Sequence, residues 1–169
     1  MPGKLESLRK MLSEGRVGFA ADEVMSGTHQ FLAGAGPEGE FPLEFRVTWG
    51  ARHLGRWLNP FGGEFMTNFL HGRITAGGLV EDVACQGALE LRYFTTASIR
   101  YRFEFTDNEG TRYRYLGEKV NIRPWNLHRS HTTCYGTITN LDTGQDISRS
   151  IVYFRLSRLP GFLASFRLA

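Results

Sequence analysis

Through the middle of the chain, apolar side chains recur at every second position, and this period limits the possible folds more than any other feature. Phe41, Leu43, Phe45, Val47 and Trp49 alternate with Pro42, Glu44, Arg46 and Thr48. A strand turns successive side chains to opposite faces, so this segment reads as a strand with one dry and one wet face. Pro42 sets its start or puts it at an edge. Cys85, Leu89, Leu91 and Tyr93 then share one parity while Gln86, Glu90 and Arg92 take the other. Next, Ile99, Tyr101, Phe103 and Phe105 alternate with Arg100, Arg102 and Glu104. Asp107-Asn108-Glu109-Gly110 is a turn with glycine where positive φ is needed, after which Tyr113 and Tyr115 resume against Arg112 and Arg114. This predicts a hairpin. Gly117 interrupts the returning strand and marks a bulge.

Further strands are expected at 22–32, 63–75 and 78–84. Residues 131–139 and 146–157 pair around Asn140-Leu141-Asp142-Thr143-Gly144-Gln145, and the segment Arg123 to Ser130, which contains Pro124, reads as a loop. Leu5, Leu8 and Leu12 stand on one helical face, so a lead-in helix is expected over 4–14. Leu159, Phe162, Leu163 and Phe166 repeat at i, i+3, i+4, i+7 behind Pro160, which predicts a closing helix over 159–168. Eight or nine short strands joined mostly as hairpins make an antiparallel barrel or a sandwich. The dry parity is persistently aromatic, which favours an up-and-down barrel, since about eight strands enclose a space that large side chains fill or that holds one small ligand. The expectation is an all-β single domain over residues 1–169, with the barrel over 22–157.

Composition narrows the function classes. With 169 residues, 41% hydrophobic and 22% charged, the chain is the size of one globular domain and is neither disordered nor a coiled coil. The net charge of +3 is not gathered into a basic block, so no nucleic-acid partner is expected. No run approaches the 18 or so apolar residues of a spanning helix. The opening MPGKLESLRKMLSEG has no continuous apolar core of a secretory signal, which points to the cytoplasm. Cys85 and Cys134 form no CxxC pair and no zinc spacing, so reduced thiols and no metal are expected. No GxGxxG follows a strand, and P-loop, HExxH and GxSxG motifs are absent, so no cofactor and no catalytic residue is assigned.

Three islands carry a resemblance. Tyr101-Arg-Phe-Glu-Phe-Thr-Asp-Asn-Glu-Gly-Thr-Arg-Tyr-Arg-Tyr-Leu-Gly-Glu-Lys119, His131-Thr132-Thr133-Cys134-Tyr135 and Glu23-Val-Met25-Ser-Gly27 resemble elements of the lipocalin-like accessory domains attached to cholesterol-oxidase-like flavin oxidoreductases of the glucose–methanol–choline family. The second island departs at two positions from that family's Thr-Thr-Thr-Leu-Tyr run. The resemblance implies a lipocalin- or calycin-like barrel, an association with apolar, sterol-like molecules, and a separately encoded oxidoreductase as partner. It implies no flavin chemistry for this chain.

Lys119 is the sharpest candidate. It shares the parity of Tyr113 and Tyr115, so without a bulge its ammonium enters the aromatic interior, where it needs an acidic partner such as Glu64, Glu104, Glu118 or a ligand carboxylate. A bulge at Gly117 would instead send it to water. Tyr101, Tyr113, Tyr115 and Tyr135 offer hydroxyls that orient a mostly apolar ligand, and Trp49 and Phe103 supply apolar wall or plain core. His131 is a loop histidine or, beside a carboxylate, a base. Arg100, Arg102, Arg112 and Arg114 form a wet face interleaved with Glu90, Glu104 and Glu118. The segment 56–63 reads as an aromatic loop that covers a barrel mouth or simply connects two strands. The expected function is a lipocalin-like domain holding a small hydrophobic molecule; an isomerase, cyclase or dehydratase using His131, Tyr135 or Glu104, or a module docking on an oxidoreductase, are the alternatives.

Overall fold

Alternation of this kind buries one face of every strand only if the sheet curls onto itself, and the chain does so. The computed structural model describes residues 3, 5, 6, 9, 17–120 and 133–168. Its strands are β1 (Phe19–Phe31), β2 (Glu40–Ala51), β3 (Thr67–Ala76), β4 (Val80–Arg92), β5 (Ser98–Thr106), β6 (Arg112–Lys119), β7 (Thr133–Asn140), β8 (Gln145–Tyr153) and the short β9 (Arg167–Leu168). Each strand from β1 to β8 pairs antiparallel with the next, and β8 returns to β1, closing an eight-stranded barrel. Among the residues described from 17 onward, two short helices accompany it, α1 (Leu54–Trp57) and α2 (Leu159–Ser165).

Closure is not uniform along β1. β8 pairs with it from Ser26 to Phe31, and β9 pairs with Phe19 and Ala20. Between these ladders the exposed edge of β1 is served by side chains: the Asp22 amide donates to Ser165 Oγ at 2.8 Å, and Arg167 reaches the Asp22 carboxylate at 3.1 Å. An edge amide without a ladder partner needs such an acceptor.

The interior follows the dry parity. Phe45, Tyr101, Phe103 and Tyr115 are buried at mid-height, their rings 4.9–5.7 Å apart. The wall outside is charged, with Arg100 on Glu118 at 2.8 Å and Arg114 opposite Glu104. A membrane-spanning barrel has the reverse polarity, with an apolar band outside. No helix among the described residues is long and apolar enough to cross a membrane.

Several expectations are corrected. The strands expected at 78–84 and from Cys85 on are one strand, Val80–Arg92, because Asp82 takes φ 47 and absorbs the parity change as an irregularity rather than a turn. The strand expected at 63–75 starts only at Thr67. β8 ends at Tyr153, and the closing helix stops at Ser165 to let β9 pair. Gly117 is no bulge: the β5–β6 register runs unbroken through Tyr101↔Gly117 to Ile99↔Lys119. Its lack of a side chain is needed by Tyr115, for a Cβ there would lie 2.7 Å from the Tyr115 ring and from Cys134 Sγ. The lead-in helix expected over 4–14 and the loop expected over 123–130 lie mainly or wholly outside the described residues.

Candidate functional site

The barrel has two unlike rims. One carries the turns 32–39, 77–79, 107–111 and 141–144; the other carries the connections 52–66 and 93–97, the end of β6, the start of β7 and the C-terminal segment. The candidate site lies inside the second rim.

With no bulge in β6, Lys119 points inward and is 3% exposed. Its partner is Glu23, on the inward parity of β1 between Ala21 and Met25 and itself 5% exposed. Lys119 Nζ donates to Glu23 Oε1 at 2.9 Å. The Tyr101 hydroxyl donates to the same carboxylate at 3.0 and 3.1 Å, and Trp49 Nε1 donates to Oε2 at 3.0 Å. The ammonium also sits 5.2 Å from the centre of the Tyr101 ring. A buried carboxylate is tolerable only when its charge is matched and its lone pairs are filled, and three donors from β2, β5 and β6 meet that condition.

The surroundings fix the protonation of the phenol. Burial, and then the Glu23 charge, push Tyr101 well above the usual tyrosine range, so its hydroxyl keeps its proton and donates. Tyr93, at the rim after β4, is raised first by burial and then by the charge of Glu23. Burial pushes the Cys134 thiol up to about 12, so this fully buried sulfur is an inert packing group beneath the cluster.

Apolar groups flank the cluster. Trp49 meets Phe19 edge-on at 6.2 Å, and Phe162 and Phe166 of the C-terminal segment at 6.4 and 6.1 Å. Phe154 packs on Phe162 at 5.3 Å. Below, the four-ring layer forms a floor. Tyr115 belongs to it, with Gly117 on its own strand and Gly136 on β7 leaving the space its ring and hydroxyl occupy.

Of the residues singled out by sequence, Lys119, Tyr101 and Trp49 come together. Phe103 and Tyr115 are core rings of the floor. Tyr113 stands at the opposite rim, where its hydroxyl donates to Asp107 at 3.2 Å. Tyr135 is on the outer wall, 55% exposed, opposite Ile151; an odd offset from Cys134 and Gly136 puts it outside. His131 lies outside the described residues. The acids proposed for Lys119 are elsewhere: Glu118 pairs with Arg100 on the outer wall, Glu104 faces solvent, and Glu64 is 3.8 Å from Arg56. Glu23 is the residue that sequence reasoning passed over in this role. Its signal was present, a charge on the dry parity of a strand, the same anomaly that marks Lys119.

No family model, curated protein or solved structure matches the chain. What geometry defines is a class: a closed antiparallel β-barrel, compatible with a lipocalin-like ligand-binding fold, with a satisfied ionic cluster inside one rim.

Proposed function

We propose that the protein holds a small hydrophobic, lipid- or sterol-like molecule at the rim that contains the Glu23–Lys119 pair, with Lys119 and Tyr101 as polar anchors. The observation that carries the reading is a charged and hydroxylated cluster buried in an apolar, aromatic setting, the pattern of a site that accepts an apolar body and orients one polar group. Phe103 and Tyr115, packed with Phe45 and Tyr101 in the ring layer, support the Tyr101 side of the cluster. The resemblance islands add support: Glu23 comes from one, Tyr101 and Lys119 from another, Cys134 from the third, and all meet at this end. The implied oxidoreductase partner remains part of the proposal, and co-purification of the pair from co-expression tests it.

Titration of the protein with fatty acids and sterols, followed by tryptophan fluorescence, is expected to give a saturable signal, with one retained mass per chain in native mass spectrometry. Tyr101→Phe, which keeps the ring and removes one anchor, is expected to weaken binding roughly fivefold to tenfold, the worth of one hydrogen bond to a ligand. Absence of both a retained mass and a saturable signal overturns the reading.

A second reading has its own observation. A carboxylate in contact with a phenol held in its protonated form is an acid–base couple buried among apolar and aromatic side chains. An isomerase- or dehydratase-type proton transfer on an apolar substrate would then use Glu23 and Tyr101, since Glu104 and Tyr135 face outward. Turnover abolished by Glu23→Gln and retained by Tyr135→Phe distinguishes it from binding alone.

A further inference from the structure

We propose that the site-bearing rim docks on an anionic lipid surface. The inference stands on the rim's exterior and does not depend on the ligand reading.

Large apolar side chains project here into solvent: Phe61 is 98% exposed, Phe94 78%, Leu163 59% and Leu58 54%. They come from three separate connections around the barrel end, and the stacked rings of Phe65 and Phe94 tie two of these together. None of the large exposed apolar residues falls in the four turns of the opposite rim. Soluble surfaces rarely concentrate exposed apolar groups on one side without a use for them.

Charge follows the same axis. The connections 52–66, 93–97 and 154–168 contain Arg52, Arg56, Arg155, Arg158 and Arg167 against the single acid Glu64. The four turns opposite contain Glu38, Asp107, Glu109 and Asp142 and no basic residue. Some arginines are engaged at the surface, Arg167 with Asp22 and Arg158 with Glu44 at 4.0 Å, but such exposed pairs exchange readily with other anions. Arg52 lies over the Phe69 ring at 5.7 Å. A molecule with a positive, apolar-studded rim and a negative far rim is oriented by a negative surface before contact.

The form of the rim favours lipid over a protein partner. Phe61 and Leu163 are separate prongs, and a protein partner would need a matching pocket for each, whereas a fluid headgroup layer admits single aromatic and leucyl side chains between arginines that meet phosphate.

Sedimentation of the full chain with vesicles of phosphatidylcholine, and of equimolar phosphatidylcholine and phosphatidylglycerol, tests this. Binding is expected only to the anionic vesicles, weakening as salt rises. Phe61→Ser with Phe94→Ser, and separately Arg52→Glu with Arg155→Glu, are expected to cut it at least tenfold, all four side chains being exposed and outside the core. Glu109→Gln at the far rim leaves it unchanged. No binding to anionic vesicles, equal binding to neutral ones, or wild-type binding by both rim variants overturns the proposal. Binding to soluble polyglutamate without binding to vesicles also overturns it and assigns the rim to an acidic polypeptide.

Discussion

The two rims of the barrel are closed by different physics. At the far rim the turns are short and self-contained. The Asp107 carboxylate accepts the amides of Glu109 and Thr111, both at 2.9 Å, and Asn140 accepts that of Asp142 at 2.9 Å. A buried polar group there, His29, sits between Ser148 Oγ at 2.7 Å and the Gly77 carbonyl at 2.8 Å, beside the rings of Phe31 and Phe41. At the near rim the connections are long, and the buried charged groups are an ion pair from residues 96 positions apart. One end is stabilised by bonds a few residues long and by an uncharged group; the other holds two charges that the fold must keep together. Charge kept inside a domain is weak evidence for stability and better evidence for a site.

The comparison is broken hardest at the ion pair. Lys119→Met strands the Glu23 carboxylate, and a loss of about 3–5 kcal/mol in urea unfolding is expected, as for other broken buried pairs. Glu23→Leu together with Lys119→Met removes both charges and is expected to recover most of that loss, so a double variant as unstable as the single one would show that the pair is not what couples β1 to β6.

A smaller effect is expected at the floor that separates the rims. Gly117→Ala places a methyl against the Tyr115 ring and Cys134, and overpacking of this kind costs about 1–3 kcal/mol. Adding Tyr115→Phe frees only the hydroxyl side and is expected to relieve it partly. An alanine at 117 with unchanged unfolding midpoint would mean that the strands separate freely there.

The far rim is sharpened by pH, with the smallest effect. Desolvation lowers the His29 pKa below its ordinary 6.5, only partly offset by the bond to Gly77. The unfolded chain therefore takes up a proton first as pH falls below about 6.5, and the folded state loses stability from there down to the lowered folded value. The slope from one such group is at most about 1.4 kcal/mol per pH unit. His29→Gln is expected to flatten the stability profile between pH 7 and 5; an unaltered profile would place the dependence on other groups.

Legibility in the sequence differed by kind of feature. The dry parity of Tyr101, Phe103, Tyr113 and Tyr115 correctly foretold inward side chains, and the Asp107–Gly110 turn correctly foretold the β5–β6 hairpin. Gly117 misled because a glycine in a strand signals a bulge and a close packing neighbour equally well, and only the position of the Tyr115 ring distinguishes them. Asp82 misled in the opposite direction, since a bulge there imitates the end of a strand.

Periodicity settled which side chains face inward, because that depends on the two-residue repeat of each strand alone. It left undetermined which inward residues meet, because that depends on height and angle around a closed barrel, set by the register of all eight strands together. Glu23 and Lys119 are therefore each recognisable as anomalies in the chain, while their contact, the ring floor beneath them and the gathering of Phe61, Phe94 and Leu163 at one rim exist only once the sheet has closed.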